Sequence, residues 1–241
     1  MKMKRFNPVV YAPMLFSIVL AGCAPKPATV DPAVLQARDQ AKAQLEATQK
    51  IAAETAQTYH AMDNPTLLKN LAEQSANKKE PFNSLAYREL RGRTDVSADT
   101  LASMVRTTKN GDALLPLLLL RRLNEKAYLA LPAELRAGVL TDALQNSKTF
   151  NTWGLPHLYM EEASKAMVES GKSAYPALKR MLDDTRPAPV FGSQEYMEYQ
   201  RYQYRLCDYA LWYLKEIQGP ADFRIPLTPA ERDNLIKELK K

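Results

Sequence analysis

Apolar residues in this chain recur at helical spacing, and Gly, Pro, Ser and Asp cut them into short lengths. That punctuation limits the fold more than any other feature. Ser97 stands before Leu101, Met104 and Val105; Gly111 stands before a Leu-rich run over 114–124. Leu131-Pro132 opens a segment carrying Leu135, Val139, Leu140 and Leu144. Further helices are expected over 158–169, 175–182 and 195–218. Thr228-Pro229-Ala230-Glu231 has the capping-box spacing, Thr at the cap and Glu three residues on, and predicts a last helix to Lys240. Strands have no comparable signal. Alternating β-branched runs are absent, and Gly is 8 of 241 residues, well under the ~7% average. The expected class is all-α.

The N-terminal part reads differently. Residues 24–30 are rich in Pro and small side chains, as in an extended tether. Asp31-Pro32 then opens a helix, with Asp as cap and Pro in the first turn, where its missing N–H costs nothing. Residues 33–62 favour helix through Ala, Gln, Glu and Lys, but Val34, Leu35, Leu45, Ile51, Tyr59 and Met62 are too sparse for a coiled coil. A long exposed spacer helix is expected there. Asn64-Pro65 starts the next helix, striped by Leu67, Leu68 and Leu71.

Ahead of the tether, Lys2, Lys4 and Arg5 precede an apolar run from Val9 to Leu20, which ends in Leu20-Ala21-Gly22-Cys23. A charged start, a short apolar span and small residues at its end make a secretory leader. The four terminal residues resemble the lipobox of bacterial lipoproteins. The resemblance implies cleavage before Cys23, diacylglycerol on its sulfur, and attachment to a membrane of the cell envelope. More than one acyl chain makes such attachment stable. In enteric lipoproteins Asp after the lipidated Cys favours the inner membrane; Ala24 there implies the periplasmic face of the outer membrane. The expected division is a signal peptide over 1–22, lipidated Cys, tether and spacer helix over 23–62, and a helical body over 63–241.

Loss of residues 1–22 leaves 219 residues and takes away three basic side chains and no acidic one, so the formal net charge falls from +6 to +3. So weak an excess on an exported chain argues against nucleic acid as a partner. With Cys23 committed to lipid, Cys207 is alone and no intramolecular disulfide can form. Leu206, Tyr209 and Ala210 around it mark a small core residue. The longest later apolar run, Leu114 to Leu120, holds Pro116 and falls far short of the ~20 residues a membrane span needs.

Two segments of the body match at an offset of 60 residues: Gly111-Asp112-Ala113-Leu114-Leu115-Pro116-Leu117-Leu118 and Gly171-Lys172-Ser173-Ala174-Tyr175-Pro176-Ala177-Leu178. In both, Gly ends one helix and Pro opens the next, as in a tight helical hairpin. The second copy, with Arg205-Leu206-Cys207-Asp208-Tyr209-Ala210-Leu211, resembles a HEAT-like repeat, over about residues 97–219. The offset departs from the usual ~40–47-residue period. The resemblance implies helical hairpins in a compact HEAT-like or α-solenoid-type bundle.

The loop over 183–193 is the most unusual connection. Asp183, Asp184 and Arg186 precede Pro187 and Pro189, which enforce extended backbone, and Phe191 follows. Next comes a segment dense in Tyr. Tyr199, Tyr202, Leu206, Tyr209, Tyr213 and Ile217 fall on one helical face expected in the core, while Tyr196 and Tyr204 are expected at the surface or against the neighbouring loop. Asp184, Arg186, Phe191, Tyr196 and Tyr204 are therefore the candidate binding residues, and Cys23 the lipidation site. His157 with Glu161 and Glu162 reads as a helix-surface His near acids rather than a metal site, since the chain has only 2 His. No phosphate loop, nucleophile elbow or paired-Cys motif is present, so no catalytic residue, metal or cofactor is assigned.

These observations lead to a noncatalytic, membrane-anchored interaction module with an envelope protein partner, including the case of a toxin that it neutralises. The alternative is a peptidoglycan- or glycan-active protein, with Tyr and Trp stacking on sugars and Glu161 or Asp184 in acid/base roles.

Overall fold

Two helices buried on every side organise the body, and they are built from different chemistry. The structure is a computed structural model, and it describes residues 31–108, 110–148, 151–189, 193–219 and 223–241. In chain order the helices are α1 (Pro32–Ala61), α2 (Asn64–Ala76), α3 (Leu85–Leu90), α4 (Ala98–Thr107), α5 (Leu114–Leu123) and α6 (Glu125–Leu129). They continue as α7 (Ala133–Asn146), α8 (Glu162–Glu169), α9 (Tyr175–Met181), α10 (Ser193–Tyr202), α11 (Leu206–Gln218) and α12 (Pro229–Leu239). One antiparallel hairpin, β1 (Gly154–Leu155) and β2 (Tyr159–Met160), is the only sheet among the described residues. The class is all-α. No helix among the described residues is long and apolar enough to cross a membrane.

The chain divides into two units after Lys50, inside α1. In the first, Asp31 Oδ1 accepts a hydrogen bond from Ala33 N at 2.8 Å, the expected cap, and α1 buries no residue. In the second, Tyr59 and Met62 pack part-buried against the core. The caps at Asp31, Ser97 and Thr228 fall where the sequence places them, and others join them. Asp63, Ser84, Ser97 and Asn124 each accept from a backbone N–H of the first turn that follows, and Thr228 with Glu231 closes the capping box of α12.

Every side chain from Leu114 to Leu120 is buried, Pro116 included, and α5 packs against α2, α4, α6 and α7. A helix apolar all round belongs in the centre. Its counterpart, α11, is buried from Leu206 to Leu214 and packs against α8, α9 and α12. The two segments matched at an offset of 60 have the same local form: a 3-10 turn, Asn110–Ala113 or Gly171–Ala174, leads directly into a helix, α5 or α9.

Two sequence expectations are corrected. Residues 158–169 do not form one helix: the first part belongs to the hairpin, and α8 starts at Glu162. Gly154 permits the close pairing of the two strands, because at φ +84° a Cβ would collide with the carbonyl oxygen of Tyr159. Residues 195–218 are not one helix either, because the chain breaks between α10 and α11.

Candidate functional site

The loop after α9 is stitched to the start of α11 by its backbone. Cys207 N donates to Asp184 O at 2.8 Å, Leu206 N to Arg186 O at 3.0 Å and Ala188 N to Tyr204 O at 2.9 Å. Pro187 and Arg205 thus form an antiparallel bridge. Residues 186 and 188 use their polar groups on this seam, so alternation turns those of Pro187 and Pro189 to the other edge. Proline has no N–H. The outer edge lacks donors at both positions and cannot accept an added strand there.

Within the loop, Asp184 and Arg186 satisfy each other. Asp184 Oδ1 accepts from Arg186 Nε at 2.8 Å and Oδ2 from Nη2 at 2.5 Å. The guanidinium holds the Asp184 carboxyl below the usual carboxylate range. Arg186 Nη2 also donates to Gln145 O at 3.3 Å.

The break after α10 comes from residues remote in sequence. Gln203 takes a left-handed conformation, φ +51°, and ends the helix. Arg232, fully buried on α12, donates to Tyr202 O at 2.7 Å and also to Leu227 O at 2.7 Å. Its Nε stands 3.0 Å from Oδ1 of Asp208, which is also fully buried. Asp208 accepts in addition from Arg205 Nη2 at 2.9 Å and from the Arg205 backbone N–H at 2.8 Å, which caps α11. This ionic knot directs the chain into the seam.

Tyr204 is therefore turned inward. It is 1% exposed and does not reach the surface; of the two expected places it takes the one against the loop, where its carbonyl accepts from Ala188 N, and Arg232 lies over its ring at 5.1 Å from the centroid. Tyr196 is 50% exposed, as expected. Phe191 and Cys23 lie outside the described residues.

His157, at the hairpin turn, is not a helix-surface His beside Glu161. Its ring stacks on Tyr202 at 4.0 Å between centroids, its Nδ1 lies 3.0 Å from Tyr204 Oη, and its Nε2 lies 3.0 Å from Glu198 Oε2. Burial lowers the His157 pKa below 6.5, and the Glu198 carboxylate works against that shift. Tyr209 Oη donates to Gly154 O at 2.7 Å and ties the same hairpin to α11.

Between the loop and α10 lies an open groove of about 540 Å³, whose lining includes Thr185, Pro187, Tyr199, Gln200, Arg205 and the candidate Tyr204, with Gln203 at the break. Among the described residues Arg205 is the one charged side chain lining it, and Asp208 and Asp233 already pair with that guanidinium. Tyr196 and Met197, 50% and 70% exposed, project from the same helix. The groove brings the loop and the Tyr segment together, as the sequence suggests. Gln200, Gln203 and the knot of Asp208 and Arg232 were not anticipated, since their partners lie up to 30 residues away and no local motif marks them.

Cys207 is buried, and burial pushes its thiol up to about 11, which bears out a core residue rather than a nucleophile. Glu161 and Asp184 occupy different places: Glu161 lines another groove, beside α3 and α8, while Asp184 is paired with Arg186. Among the described residues no three His, Cys, Asp or Glu side chains are grouped to hold a metal ion. No protein-family model, no curated protein and no solved structure matches the chain.

Proposed function

We propose that this chain is a lipid-anchored interaction module of the bacterial envelope. Its helical, HEAT-like body docks one protein partner at the groove between the 183–189 loop and α10. The sequence supports the anchor through Leu20-Ala21-Gly22-Cys23, with Ala24 directing the protein to the periplasmic face of the outer membrane. The observation that carries the docking reading is the chemistry of the groove. Tyr, Pro and Gln side chains form an open surface with no carboxylate among the residues named above. Tyr offers a wide apolar ring with a polar tip, which suits contact between proteins. Acid/base chemistry on glycan would need carboxylates converging on one cleft. The donor-free outer edge at Pro187 and Pro189 excludes strand addition there, so the partner is held by side chains.

Photo-crosslinking from position 200 in the acylated protein, in native membranes, tests this reading. It expects one protein captured in stoichiometric yield from Gln200, and none from Glu125 on α6. Co-sedimentation with purified peptidoglycan and no captured protein would favour the glycan reading instead. An unmodified thiol on Cys23 in mass spectra of native material would remove the anchor.

A further inference from the structure

A second groove, about 330 Å³ in volume, lies beside α3 and the start of α8. Arg88 and Arg91 reach it from the C-terminal end of α3, and Glu161 and Glu162 from the N-terminal end of α8. Each pair sits at the helix end whose dipole favours its charge. Phe82, 63% exposed, lines the same groove.

Opposite charges facing one groove ordinarily close on each other. Here none of the four has an ion-pair partner among the described residues. The reason lies partly in Tyr87, which is 1% exposed and donates its phenol proton to Glu162 Oε2 at 2.8 Å. A buried phenol thereby holds one carboxylate oxygen of Glu162 in place. Two guanidinium groups and two carboxylates are left to meet a ligand that carries both signs.

We propose that this groove binds a short peptide by its two free ends, the α-carboxylate on Arg88 and Arg91 and the α-ammonium on Glu161 and Glu162. Arginine forks match a carboxylate by paired hydrogen bonds, and carboxylates accept the protons of an ammonium group. The volume is at the lower end of the ~300–1,000 Å³ found for small-ligand sites. An extended tripeptide spans about 10 Å, which suits that size. Phe82 receives an apolar side chain of the peptide. The site is independent of docking at α10, and either can fail without the other.

Calorimetric titration of the full chain with Ala-Tyr-Ala tests the proposal, using the tripeptide with both termini free, N-acetylated, or C-amidated. The free peptide is expected to bind saturably with Kd of ~1 mM or tighter. Blocking either end is expected to weaken binding at least ~10-fold, a comparison that needs no variant. The double variant Arg88→Gln with Arg91→Gln is expected to bind acid and amide alike, whereas Arg201→Gln on α10 leaves binding unchanged. Absence of saturable heat with the free peptide, equal binding of the blocked forms, or dependence on one terminus alone would overturn the assignment.

Discussion

The surroundings of α5 and of α11 are both fully buried, yet they are held by different forces. Around α5 the core is mostly aliphatic: Leu114 to Leu120 belong to one core with Leu67, Leu71, Leu101 and Leu140, and Tyr87 and Tyr128 are the buried rings of the neighbouring helices α3 and α6. Such packing is non-directional and scales with area removed from water. Around α11 the core contains rings and charges. Trp153, Tyr204, Tyr209 and Tyr213 pack with Asp208 and Arg232, and nearly every polar tip has a named partner. A core of the first kind tolerates any side chain of suitable volume. The second kind depends on a set of partners present together.

The largest test of this difference is an isosteric exchange in each region. Asp208→Asn leaves the buried Arg232 without its counter-charge and leaves Arg205 only Asp233. Chemical denaturation is expected to show a loss of about 3–5 kcal/mol, the range for breaking a buried ion pair from one side. Leu117→Met, equally buried and equally conservative in volume, is expected to cost less than about 1.5 kcal/mol in the same measurement. Similar losses for the two would erase the distinction.

A smaller effect separates the regions by pH. Burial lowers the His157 pKa in the folded protein, so the unfolded chain binds the proton first as acid is added. The stability contributed by neutral His157 is fully present above its ordinary value of 6.5 and is lost as pH falls from there through the lower pKa of the folded protein. His157→Gln is expected to flatten the stability–pH curve below that value, whereas Leu117→Met is expected only to shift it. Denaturation midpoints over a pH series check both. Amide protection in α10, corrected for the intrinsic exchange rate at each pH, is expected to fall on acidification before protection in α5 does.

The same contrast explains what could be read from the residues alone. The aliphatic part was legible because its determinants are local: Leu spacing, Ser97 and Thr228 as caps, and the turns before α5 and α9. The aromatic part was legible only as composition. Helical periodicity cannot decide whether Tyr204 faces solvent or the loop, because the helix breaks at Gln203 and the Arg232 contact at that break comes from 30 residues beyond Tyr202. The stretch before α8 was read as helix because Gly154 and its tight turn leave only two residues per strand, too few for an alternating pattern. Asp184 and Arg186 were recognised as unusual, but their bond to each other depends on loop geometry that no spacing rule contains. Pairing between distant polar groups is a tertiary property, and a sequence window cannot hold both members.

Cys207 gives this contrast a practical use. Its sulfur lies at the seam between the loop and α11, 1% exposed, with a thiol that resists ionisation. An alkylating reagent can reach it only when that seam parts, so labelling of this one position acts as a clock for transient opening. The protein thus carries its own reporter for the part of the core held by partnership rather than by bulk.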